Sequence, residues 1–218
     1  MTGWIFVLFI ALFATAIVIS IVLDRKRTEA IKQLAATMGF DYREHPQTYL
    51  PDTIWQFDLF NKGRNRRLKH LIQGTQEEAI VSVSDYQYTT GTQKNRTTHN
   101  QTVVFIESDR FNLPNFLLIP ENIFHKVGNV FGYKDIDFDS HPEFSSQYLL
   151  KGTDEESIRS LFHDGILNIY QRHPGTSTEG LDTLLIYYRK GQRFKPDQWQ
   201  NLLNEAIEAY EQFSQHYY

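Results

Sequence analysis

The chain opens on an unbroken apolar run. Residues 4–23, WIFVLFIALFATAIVISIVL, carry no charge, and only Thr15 and Ser20 among them are polar. Twenty helical residues at about 1.5 Å each match a hydrocarbon core of about 30 Å. A helix satisfies both hydroxyls on its own carbonyls. Trp4 stands where an interfacial aromatic anchor belongs. The run therefore predicts a membrane-spanning helix. Ala14-Thr15-Ala16 resembles a signal-peptide cleavage site, but no Lys or Arg precedes the run and it continues to Leu23. An uncleaved anchor is the expectation.

After Leu23 the pattern changes. Asp24-Arg25-Lys26-Arg27 is a charged collar, and Ala30, Leu34, Ala35 and Met38 then recur near one helical face, up to Gly39. This predicts a helical stalk over residues 24–40. Only Met1-Thr2-Gly3 precede the run, so the positive-inside rule puts the N-terminus outside and the C-terminal domain in the cytoplasm. In that compartment the tripeptides Asn95-Arg96-Thr97 and Asn100-Gln101-Thr102 match glycosylation acceptors only by coincidence.

Residues 41–218 mix strand and helix periods in one soluble domain. Alternation predicts strands over 54–60, 68–73, 79–89 and 101–108, with shorter ones at 116–119, 147–150 and 181–188. Val81, Val83 and Asp85 share one face of the third strand; Ser82, Ser84, Tyr86 and Tyr88 share the other. Helical spacing predicts helices over 121–131, from Asp154 through Ile169, and from Pro196 to the end. The fold class expected is α+β: an N-terminal transmembrane helix, then an antiparallel meander sheet, flat or curled toward a half-barrel, covered by helices. The divisions are 1–23 anchor, 24–40 stalk and 41–218 soluble domain.

Composition narrows the function classes. The chain is mildly acidic, with a net charge of −4, which argues against a nucleic-acid partner. It has no cysteine, so disulfides, thiolate catalysis and cysteine-based zinc sites are excluded. Aromatics at 14% favour a packed fold over disorder.

Four segments carry candidate chemistry. Arg64, Arg66, Arg67 and Lys69 crowd one strand start beside Lys62, and Lys94 and Arg96 sit in the turn of the following hairpin. Together they are the candidate binding surface, and for a tethered domain anionic lipid headgroups are the nearest partner. The alternative is a solvated turn. Gly91 and Lys94 resemble a phosphate loop only superficially, because no second Gly precedes the Lys. His99 and Asp85, on opposite arms of the hairpin, form a candidate hydrolase pair, with a structural cross-strand bond as the alternative. Asp135, Asp137, Asp139 and His141 alternate along an extended stretch. Ser140 and Ser146 stand where a calcium loop needs Gly and Glu, so capping is the expected role and no metal is assigned.

The hairpin run Asp85-Tyr86, Tyr88-Thr89-Thr90-Gly91, Lys94-Asn95, Thr98-His99 and Gln101-Thr102-Val103 resembles a signature of uncharacterised bacterial single-pass membrane proteins. Asp135-Ile136-Asp137-Phe138-Asp139 with His141-Pro142 and Phe144-Ser145 is similar to the same family. The chain has Thr92-Gln93-Lys94 where that signature has a Ser-Gly-Lys-like turn. The resemblance implies a bacterial inner-membrane protein and names no activity. The function expected is binding or scaffolding at the cytoplasmic face, with a protein partner at the membrane and no cofactor. A membrane-tethered hydrolase and an anionic-lipid-binding module are the alternatives.

Overall fold

The computed structural model describes residues 2–44, 46–124 and 135–215. Helix α1, Thr2–Met38, runs without a break. It is long and apolar enough to cross a membrane. Side chains 4–26 are exposed on every side of it. From Arg27 onward one face turns inward: Arg27, Ile31, Leu34, Ala35 and Met38 pack on the domain, with Ile31 and Ala35 in its core. The helix thus changes from apolar all round to amphipathic at Arg27. Gly39, at φ +68°, ends it, and the Phe40 N–H donates to the Ala35 carbonyl at 2.8 Å.

Eight strands form one antiparallel sheet. They are β1 (Asp41–Arg43), β2 (Arg64–Gln76), β3 (Ala79–Thr90), β4 (Thr97–Glu107), β5 (Leu113–Pro120), β6 (Tyr148–Gly152), β7 (Ser177–Asp182) and β8 (Leu184–Tyr188). Their order is β1-β2-β3-β4-β8-β7-β5-β6. β2, β3 and β4 are the meander that the alternating pattern implies; β1, which the pattern does not predict, pairs on the outer edge of β2, and β8 returns to pair with β4 at Val103↔Tyr188. The α+β class is as expected.

Both faces of the sheet are covered, because each strand sends alternate residues to opposite sides. Val81, Val83, Val104, Ile106, Leu185 and Tyr187 point into the larger core. There they meet the second half of α1 and three later helices, α5 (Glu155–Leu161), α6 (Asp164–Arg172) and α7 (Trp199–Gln215). Tyr86, Tyr88, Val103, Phe105, Ile186 and Tyr188 point the other way. They pack under a short cover built from Leu50, Ile54, Phe57, Leu59 and Phe60.

That cover corrects the strand expected over 54–60. The segment is a 3-10 turn, Asp52–Gln56, followed by the helix α2, Asp58–Asn61. Ile54, Phe57 and Phe60 are buried three residues apart, a helical interval, while Trp55 is half-exposed. Alternation of hydrophobic type was present there, but burial follows the period of three.

Other boundaries shift for local reasons. The helix expected from Asp154 is two helices, α5 and α6, and the second restarts where His163 Nδ1 accepts the Gly165 N–H at 3.1 Å. The strand expected over 181–188 is the hairpin of β7 and β8, turning at Asp182 with φ +50°. The helix expected over 121–131 is α3, Glu121–Phe124, as far as it is described; the remainder lies outside the described residues. A last short helix, α4, Pro142–Gln147, precedes β6.

Candidate functional site

The end of the domain nearest the apolar run of α1 is organised by one carboxylate. Asp85 sits on β3 in line with Val81 and Val83, on the face that meets the helices. A lone carboxylate on an apolar face requires partners, since an unpaired buried charge is costly. Two arginines supply them. Arg27 of α1 closes a fork on it, Nε to Oδ2 and Nη2 to Oδ1, both at 2.7 Å. Arg193, in the loop after β8, adds Nε and Nη2 at 3.0 and 2.8 Å to Oδ2. The Thr102 hydroxyl on β4 donates at 3.2 Å and in turn accepts the Phe194 N–H at 3.0 Å. Arg27 spends its remaining reach on the Phe194 carbonyl, at 2.8 Å, and lies over the buried Trp199 ring at 5.7 Å. Side-chain exposures of 13% and 7% make Arg27–Asp85 a desolvated pair, whereas Arg193 at 37% reaches solvent. The cluster ties α1, β3, β4 and the β8–α7 loop together one turn beyond Leu23.

His70 lies beside this cluster. It occupies an irregularity of β2 between Lys69 and Ile72, at φ +57°, and is 6% exposed. Neither ring nitrogen has a hydrogen-bond partner, and Asp24 Oδ1 stands 3.7 Å away. Burial lowers its pKa, against the pull of Asp85 and Asp24.

A second group of charges lies under the cover. Glu179 of β7 is 2% exposed. Its carboxylate accepts the Asp58 and Leu59 N–H groups, at 2.5 and 3.0 Å, and the Tyr188 hydroxyl at 2.9 Å. Burial pushes its pKa up to about 7. It lines a 170 Å³ cavity with Lys151, Asp58, Asn61 and Asn115. Burial likewise lowers the pKa of Lys151. Lys62 pairs with Asp58 at 2.5 Å. These contacts fasten α2 to the sheet.

The residues singled out from sequence are distributed over several places. Arg64, Arg66, Arg67 and Lys69 are all exposed along β2. Arg66 donates to the Phe60 carbonyl, capping α2, and Lys69 stands opposite Asp85 of the arginine cluster. Lys94 and Arg96 are exposed in the β3–β4 turn, which Arg64 approaches through its pairing with Thr89. The hydrolase pair does not form. His99 opposes Tyr88 and Asp85 opposes Thr102, three positions apart and on opposite faces of the sheet. His99 stacks on Tyr88 at 4.7 Å and bonds the Thr90 hydroxyl at 2.8 Å instead. Asp135 accepts the Leu150 N–H at 3.0 Å, a contact with the edge of β6 and not the turn cap expected, and Asp137 and Asp139 are exposed. Among the described residues no three His, Asp or Glu side chains converge as a metal site would require. Sequence reading missed the roles of Arg27, Arg193 and Glu179. The signal for Asp85 was its place on an apolar face, but its partners lie 58 and 108 residues away, and no local spacing encodes that.

No family model matches the chain, and no curated protein does. One solved structure shares its fold: the crystal structure of the mycobacterial trehalose monomycolate transport factor A, TtfA. The two superpose with a TM-score of 0.59 at 11% identity, over 88% of this chain and 94% of that one, so the chain has a fold similar to that of a mycobacterial transport factor.

Proposed function

We propose that this chain is a single-pass inner-membrane protein of bacteria whose cytoplasmic domain serves as a scaffold for a membrane transport assembly. The observation that carries the reading is the rigid union of anchor and domain. Helix α1 continues into the core without a linker, and Arg27 is locked to Asp85 one turn beyond the apolar run. A domain held this way presents a fixed face to the bilayer and to whatever neighbours it there. The collar Arg25-Lys26-Arg27 supports the cytoplasmic orientation. The likeness of fold to TtfA supports a transport-associated role, as does the resemblance of the hairpin to bacterial single-pass membrane proteins.

The test uses the natural absence of cysteine. A single Lys94→Cys reporter should react with a membrane-impermeant maleimide in inverted vesicles and not in intact cells, and the protein should resist alkaline extraction. Labelling in intact cells would overturn the orientation. In-cell crosslinking of the full-length protein should trap an integral membrane transport protein, and Asp85→Ala should weaken that product by loosening the seat of α1 on the domain. Crosslinks confined to copies of itself would sink the scaffold reading.

A further inference from the structure

A cleft of 670 Å³ opens between α1 and the membrane-proximal edge of the domain. Its helix wall is Ala16, Ile19, Ser20 and Leu23. Its domain wall is Lys69 and Arg193, with Arg27 at the inner end. Ala16, Ser20, Leu23 and Arg27 are four, three and four residues apart, so they form one stripe of the helix. That stripe is the one that meets the domain further on, through Ile31 and Leu34. From Ala16 to Leu23 the helix rises about 10 Å, about two thirds of one leaflet of a 30 Å hydrocarbon core. One end of the cleft is therefore apolar over most of the depth of one leaflet. The other end is cationic at the boundary.

The charges at that end do not cancel. Arg27 and Arg193 share the single carboxylate of Asp85, which leaves one positive charge over. Lys69 adds a second and is exposed. Asp24 on the same wall removes one. Arg25 and Lys26 stand exposed beside it. An apolar helix surface that runs into excess positive charge at the membrane boundary suits an acyl chain attached to a phosphate diester.

We infer that the cleft is a binding site for one anionic phospholipid, its acyl chain along Ala16–Leu23 and its phosphate between Lys69 and Arg193. The inference rests on the reading that α1 spans a bilayer. It differs from general attraction of a basic surface to the membrane, because Arg64, Arg67, Lys94 and Arg96 lie outside the cleft.

The experiment is native mass spectrometry of the full-length protein in mild detergent, titrated with phosphatidylglycerol or phosphatidylcholine of equal chain length. Phosphatidylglycerol should be retained about tenfold more strongly. Lys69→Glu should remove that preference, and Ser20→Trp, which fills the apolar end, should lower retention of the same lipid. Both positions are exposed, so the fold survives, as circular dichroism would verify. Arg64→Glu with Arg67→Glu should leave retention within about twofold. Millimolar inorganic phosphate should fail to displace the lipid; displacement would assign the site to a free anion. Equal retention of the two lipids, wild-type behaviour of Lys69→Glu, or an equal loss from the Arg64 and Arg67 pair would each overturn the site. Alkaline extraction separates the outcomes: release from the membrane would defeat the membrane reading, whereas an alkali-resistant protein with no lipid preference would defeat only this site.

Discussion

Arg27 forms a two-pronged pair with Asp85, both contacts at 2.7 Å, and so joins the end of an apolar helix to the third strand of a sheet 58 residues later in the chain. The pair is almost fully desolvated. Its value lies less in net stability than in the cost of breaking it. Asp85→Ala should destabilise the full-length protein by about 3–5 kcal/mol, since it strands the buried Arg27 charge. Arg27→Met with Asp85→Asn should cost less than the sum of the two single changes. Chemical denaturation in detergent measures the wild type, the three single variants and the double variant. Additive effects would mean that the pair is not an energetic unit.

The close approach at the end of α1 gives a second expectation. A Cβ at Gly74 of β2 would run into the Phe40 ring, which lies flat on the strand just after the helix ends. Gly74→Val should cost about 1–3 kcal/mol by overpacking. Adding Phe40→Ala should recover part of that loss, because the clash is with this one ring. No recovery would place the damage in the strand backbone and not in the seating of the helix.

The N-terminal helix was legible in the sequence as an unbroken apolar run of twenty residues, and the central hairpin and the last helix because each repeats one period over more than ten residues. The register of β3 and β4 follows from the alternation of Val81, Val83 and Asp85 against Tyr86 and Tyr88. What escaped reading was short or polar. β1 has three residues, and β7 begins Ser177-Thr178-Glu179-Gly180, a run with no hydrophobic period at all. Gly180 is there because the Phe116 ring occupies the space of a side chain, a contact that appears only once β5 is in place. The basic residues of β2 were visible as a group, yet they divide. Arg66 caps α2 while Lys69 faces the Asp85 cluster, because residues an odd number of positions apart on a strand point to opposite faces. The junction of Arg27, Asp85 and Arg193 joins three distant segments, and only the folded chain brings them together.

Glu179 makes stability depend on pH. Burial raises its pKa to about 7, whereas in the unfolded chain it ionises near the ordinary glutamate value of about 4.3. Between those values the folded state holds a proton that the unfolded state lacks. The contribution is full below about pH 4.3 and is lost as pH rises through 7, a change of about 4 kcal/mol. Unfolding free energies of the wild type should therefore carry a downward component over that interval that Glu179→Gln lacks. Parallel curves for the two proteins would show that the carboxyl ionises in the fold as it does outside it.

His70 should act with the opposite sign. Its pKa is lowered by burial, so the neutral ring is the form the fold accepts. Its contribution is present above the ordinary histidine value of about 6.5 and is lost as pH falls through the lowered folded value. Asn tolerates the left-handed backbone at this position, φ +57°, and does not titrate, which makes His70→Asn the informative change. Relative to wild type, that variant should gain stability on acidification below about pH 6.5. The two groups then pull against each other in mildly acid solution, Glu179 favouring the fold and His70 opposing it. Each single variant should expose the slope of the other residue, and the double variant should be flatter than either. If His70→Asn loses stability in parallel with wild type as the pH falls, the ring beside Asp24 is taking up its proton in the folded state at no cost.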